Sequence, residues 1–126
     1  MNNLETFNLI AAMVFAKCYA EFPAEIEINM SDFPLDFDEE RKRALFHGTM
    51  RWLARHGWIT VGRGLRDAYW TVQLTEKSLV ALGWTPGPLR FIRRPSIGER
   101  LVAATGKGAL RDVAGKLVLE ALKMAM

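Results

Sequence analysis

Arginine dominates the side chains of this 126-residue chain whose type and spacing could do chemistry. Arg43, Arg51 and Arg55 accompany His47 and Thr49 in one short stretch. On a helix, Arg51 and Arg55 stand one turn apart on the same side, away from Met50 and Leu53. That arrangement suits an anionic ligand; the alternative is an ordinary basic, solvated face. Arg63 and Arg66 sit in Gly62-Arg63-Gly64-Leu65-Arg66-Asp67, where glycine supplies the permissive backbone of a tight turn. They form either a second anion contact or a solubilising hairpin tip. Arg90, Arg93 and Arg94, interleaved with Phe91, make a further basic patch or a solvated linker.

Catalytic patterns are largely missing. His47 and His56 lie nine residues apart with no metalloprotease spacing and no cysteine pair, so neither a metal nor a cofactor is expected. Cys18 falls on an apolar stripe and reads as core. Gly106-Lys107-Gly108 lacks the glycine spacing and the hydroxyl residue of a phosphate loop. Gly62-x-Gly64 fails the dinucleotide fingerprint because residue 67 is Asp. An enzyme is not expected.

Charge is unevenly distributed. Residues 1–40 carry nine acids against Lys17, whereas residues 41–126 carry 16 Lys and Arg against five acids. A basic portion of this kind argues for an anionic partner, nucleic acid before a membrane surface, but says nothing about fold. The single cysteine excludes an internal disulfide and fits a reducing compartment. The N-terminus lacks the basic start of a signal peptide, and the longest apolar run, Leu9–Ala16, is too short to cross a bilayer. A cytoplasmic location is therefore expected.

The elements that must position these side chains follow from periodicity. Leu4, Phe7, Ala11, Val14, Cys18 and Phe22 recur at helical steps, predicting a helix over 3–21 opened by an Asn2/Glu5 capping box and stopped by Pro23. Glu25–Met30 alternates as a half-buried strand. Asp36 or Asp38 can cap a second helix running to Arg55, with Gly57 as its C-terminal cap residue. His47-Gly48-Thr49 leaves open whether this stretch is one helix or two. Trp58–Val61 and Ala68–Leu74 read as strands of a hairpin, the latter with Trp70, Val72 and Leu74 alternating with Tyr69, Thr71 and Gln73. Thr75 can cap a helix ending near Gly83. Residues 86–95 read as a Pro-rich connector, and 96–126 as a helical C-terminal segment.

The order helix, strand, helical segment, strand, glycine tip, strand, helix resembles a winged helix-turn-helix domain. Trp52-Leu53-Ala54-Arg55-His56-Gly57-Trp58-Ile59 resembles the end of a recognition helix leading into the wing. Leu74-Thr75-Glu76-Lys77-Ser78-Leu79 resembles the start of the helix after the wing in the MarR and PadR regulator families, with Ser78 in place of their glycine. The resemblance covers residues 3–83. It implies an α+β, mostly α chain: a winged helix over 1–85 with a small antiparallel sheet, followed by C-terminal helices.

It also implies a transcriptional regulator that binds duplex DNA as a dimer. Arg43, His47, Thr49, Arg51 and Arg55 would face the major groove, and Arg63 and Arg66 the flanking backbone. Leu110, Val113, Leu117, Val118, Ala121 and Leu122 form an apolar stripe that either pairs two copies or packs back on its own domain. The other reading is a winged-helix module that binds protein and not DNA. Residues 36–56 discriminate between them. Two helices with a turn near 46–49 favour DNA, and one unbroken helix favours the interaction module.

Overall fold

The computed structural model describes residues 2–83 together with Arg100, Val102 and Val118. Within residues 2–83, three helices and a four-stranded antiparallel sheet give an α+β architecture that is mostly helical. Helix α1 spans Asn3–Glu21. The Asn2 side chain caps the helix as expected, accepting from the Glu5 backbone N–H at 2.8 Å, but the Glu5 carboxylate accepts from the Asn2 side-chain amide at 3.3 Å and not from its backbone N–H as a capping box would. Its interior stripe, including Ile10, Val14, Phe15 and Cys18, is buried. Leu4 departs from the expected stripe: it is 75% exposed on the wall of a groove toward α2, whereas Thr6 in the same turn is fully buried.

Strand β1 (Ile26–Asn29) leads through one 3-10 turn, Met30–Asp32, into α2 (Glu39–Arg55). Asp38 caps α2 by accepting from the Arg41 N–H at 2.8 Å, and Glu39 and Glu40 occupy the first turn, where the helix dipole favours acids. No turn interrupts it. Thr49 is buried and sends its hydroxyl back to the Leu45 carbonyl at 2.7 Å, so its polar group is satisfied within the helix. The stretch is therefore one helix. Gly57, at φ +78°, ends it in the left-handed conformation.

Strands β2 (Ile59–Thr60), β3 (Arg63–Leu65) and β4 (Ala68–Leu74) complete the sheet. β4 is the central strand: it pairs with β1, β2 and β3, all antiparallel. Ile26 pairs with Val72 but Ile28 with Tyr69, so β4 carries one extra residue, a bulge with Thr71 at φ +54°. The bulge breaks the alternation read from sequence. Tyr69 and Val72 both turn inward, and Trp70 is left 49% exposed.

Helix α3 (Glu76–Ala81) is capped by Thr75, whose hydroxyl also donates to the Gly57 carbonyl at 2.6 Å. The buried Ser78 hydroxyl donates to the Trp58 carbonyl. The residue that departs from the regulator pattern thus ties α3 to the turn after α2. Phe15, Ile28, Phe33, Phe46, Met50, Leu53 and Val72 fill one core between α1, α2 and the sheet. Val118 joins that core, buried to 1%. The connector and most of the C-terminal segment lie outside the described residues.

Gly48 sits on the exposed side of α2, and a Cβ built there meets nothing within 4 Å. Its backbone freedom costs helix stability without serving a contact among the described residues. Gly48→Ala should therefore stabilise the fold by about 0.5–1 kcal/mol, read as a raised urea midpoint at low protein concentration.

Candidate functional site

Burial of Phe46, Met50 and Leu53 fixes the rotation of α2 and leaves it three outward surfaces. One faces β4. There Arg43 meets Asp67 through two contacts, Nε to Oδ1 at 3.1 Å and Nη2 to Oδ2 at 3.4 Å. His47 Nδ1 lies 2.7 Å from the Tyr69 hydroxyl, and its Nε2 lies 3.7 Å from Asp67 Oδ1. The Phe46 ring packs against both His47 and Tyr69. The Arg43 guanidinium holds the Asp67 carboxyl below its usual 3.8, with a smaller contribution from His47. Burial pushes the Tyr69 phenol up, and nearby Arg51 opposes that shift.

Hydroxyl, imidazole and carboxylate thus stand in the order Tyr69, His47, Asp67. The chemistry is wrong for a nucleophile, which needs its proton made easier to remove and not harder. The 3.7 Å separation of His47 and Asp67 is also too long for an orienting hydrogen bond. The cluster joins α2 to the hairpin. Among the described residues no three His, Cys, Asp or Glu side chains converge as a metal requires.

The second surface is the exposed ridge of α2, where Arg55 stands between Arg51 on the hairpin side and Ala44 and Gly48 at the edge of the groove. Among the described residues neither Arg51 nor Arg55 makes an ion pair, and the same holds for Arg63 and Arg66. These cations do not form one surface. Gly64 pairs with Tyr69, and a Cβ on Gly64 would meet the Tyr69 ring at 3.0 Å, so Gly64 belongs to the α2 side of the hairpin. Its neighbour Arg63 pairs with Trp70 on the opposite face. Arg66 occupies the hairpin turn at φ +53°. Of the seven residues singled out from sequence, Arg43, His47 and Arg51 are brought together around Tyr69. Thr49 is buried, Arg55 lies further along α2, and Arg63 and Arg66 lie elsewhere on the hairpin.

The third surface is a groove of about 510 Å³ between the start of α1 and α2. Leu4, Phe7, Ala44, Leu45, Gly48 and Trp52 provide its apolar lining. Phe7 meets Trp52 edge-on at 5.3 Å, and Trp52 stacks on His56 at 4.2 Å. Arg41 closes one end, donating to the Asn3 side chain at 3.1 Å while lying over Phe37. Sequence reasoning missed this groove because it placed Leu4 in the core. Tyr69 was missed as a partner of His47, since only the bulge turns it toward α2.

No protein-family model, curated protein or solved structure matches the chain. No helix among the described residues is long and apolar enough to cross a membrane. Of the stripe considered for dimerisation, Val118 is buried within its own chain; Leu110, Val113, Leu117, Ala121 and Leu122 lie outside the described residues.

Two measurements check this description. Burial pushes the Cys18 thiol up to about 12, so iodoacetamide should label it only after denaturant is added; rapid labelling of native protein would contradict the packing of α1. Asp67 has a depressed folded pKa, so its contribution to stability is complete above 3.8 and disappears as pH falls through the lower folded value. Asp67→Asn should remove that component, flattening the acid limb of a stability-versus-pH curve while leaving its neutral-to-basic slope unchanged.

Proposed function

We propose that the chain is a non-catalytic winged-helix module whose working surface is the apolar α1–α2 face, and that it binds protein. The order of elements and the placement of β4 between β1 and β2 support the winged-helix reading. The observation that carries the functional reading is the unbroken helix α2, which with α1 opens the groove and leaves Leu4 75% and Trp52 36% exposed. Large apolar side chains exposed beside an apolar cavity mark an interaction surface more than a solvated one. Without a separate preceding helix, α2 lacks the scaffold that seats a recognition helix in the major groove.

A second reading, duplex DNA bound along the α2 ridge, draws on Arg51 and Arg55, which are exposed without acidic partners among the described residues. Fluorescence anisotropy over a salt series separates the two. On the protein-binding reading, duplex affinity stays in the weak nonspecific range of about 10⁻⁴–10⁻⁶ M and shows no sequence preference. Sequence-specific binding far tighter than this, abolished by the Arg51→Ala/Arg55→Ala pair, overturns it in favour of DNA. The direct test is a photocrosslinker at Leu4, compared with one at Val80 of α3, which is 62% exposed. Discrete protein adducts should form from position 4 and not from position 80, and Trp52→Ala should weaken the same association by about 2 kcal/mol or more.

A further inference from the structure

We infer that His47 is a proton-operated tie between α2 and the β3–β4 hairpin: neutral, its ring accepts from Tyr69, and protonated, it exchanges that bond for an ion pair with Asp67. Nothing in this device depends on what the chain binds. The imidazole stands between its two partners, with Nδ1 2.7 Å from the Tyr69 hydroxyl and Nε2 3.7 Å from Asp67 Oδ1. Its side chain is 21% exposed, so the ring is mostly packed yet still reached by solvent protons.

A neutral imidazole accepts at one nitrogen and donates at the other. Arg51, which can only donate, lies near the Tyr69 hydroxyl. The hydroxyl oxygen therefore accepts on that side and its proton goes to His47 Nδ1, which leaves the ring N–H on Nε2, facing Asp67. Protonation removes the acceptor. Both nitrogens then donate, Tyr69 must turn its proton elsewhere, and the ring gains a charge within ion-pair reach of a carboxylate. A charge-assisted bond runs to about 2.7–2.9 Å, shorter than the present 3.7 Å. Asp67 directly precedes β4 at the hairpin turn, so closing that gap draws the turn toward α2.

The charges around the ring come from both elements. Along α2, Arg43 and Arg51 stand one turn away on either side and oppose the added charge, while Glu39 acts on Arg43. On the hairpin, Asp67 favours the charge and Arg66, its neighbour in the chain, opposes it. The 3-10 turn reaches Asp67 through the Met30 backbone N–H, which donates to its carbonyl at 2.8 Å; the acid there, Asp32, faces Lys17 at 4.0 Å. Phe46 meets the ring edge-on and brings no charge.

A pH titration of the full chain followed by NMR tests the proposal. The 15N shifts of neutral His47 should show the proton on Nε2, and the Tyr69 Cζ and Asp67 Cγ signals should both move at the His47 midpoint. His47→Gln should abolish those movements and His56→Gln should leave them. Tyr69→Phe deletes a bond made to the neutral ring and should raise the midpoint, whereas Asp67→Asn should lower it. A neutral ring protonated on Nδ1 overturns the proposal, as do Tyr69 and Asp67 signals that ignore the His47 midpoint. A midpoint unmoved by both partner substitutions does the same. Should His47→Gln fail to fold, the wild-type tautomer and the coincidence of midpoints still decide.

Discussion

Everything outward-facing on this protein depends on how α2 is rotated, and that rotation is set by burial of one stripe. Phe46, Met50 and Leu53 are each sealed from solvent between α1 and the sheet. Each such side chain stabilises the fold by about 1.5–3 kcal/mol relative to exposure, so no polar contact on the surface can turn the helix against them. With the stripe inward, residues at four-residue spacing are sorted automatically. Arg43, His47 and Arg51 go toward the hairpin, and Leu45, Gly48 and Trp52 toward α1. The clasp of Arg43 with Asp67 follows the packing and does not cause it; both partners are substantially exposed, and such pairs add little.

The C-terminal end of α2 is held by a separate set of polar ties. Lys77 Nζ donates to the His56 carbonyl at 2.9 Å and lies over the Trp58 ring, while Thr75 and Ser78 satisfy the Gly57 and Trp58 carbonyls. The last carbonyls of α2 are taken by the turn itself, with the His56, Trp58 and Gly57 backbone N–H groups donating to Trp52, Leu53 and Ala54. The Thr, Lys and Ser at the start of α3 instead supply donors for the carbonyls of that turn, His56, Gly57 and Trp58, and so tie it down.

The fold was legible wherever a local rule was sufficient. The Asn2, Asp38 and Thr75 caps, the stop before Pro23 and the Gly57 terminus all depend on residues within a turn of one another. Continuity through His47-Gly48-Thr49 was not legible, since glycine's cost of about 1 kcal/mol is small against tertiary burial of the neighbouring Phe46 and Met50. The site was less readable still. Asp67 is remote in sequence from Arg43, and nothing local announces that it withdraws that arginine from the cationic set. Leu4 has the period of a core residue yet stands exposed on the wall of the α1–α2 groove, while Thr6 in the same turn is buried. Periodicity reports which side of a helix is apolar, not how far the neighbouring layer extends.

The extra residue in β4 has a consequence for the whole hairpin. On the Ala68 side of Thr71 the strand runs out of phase with its end at Leu74, so the distal half of the ribbon is turned over relative to an unbulged one. The side of the sheet that receives Arg63, Leu65 and Trp70 is therefore decided by a single backbone irregularity several residues away. Shortening or lengthening the strand by one position there would exchange the ribbon's two coats, moving its basic and aromatic side chains across the sheet without altering any of them.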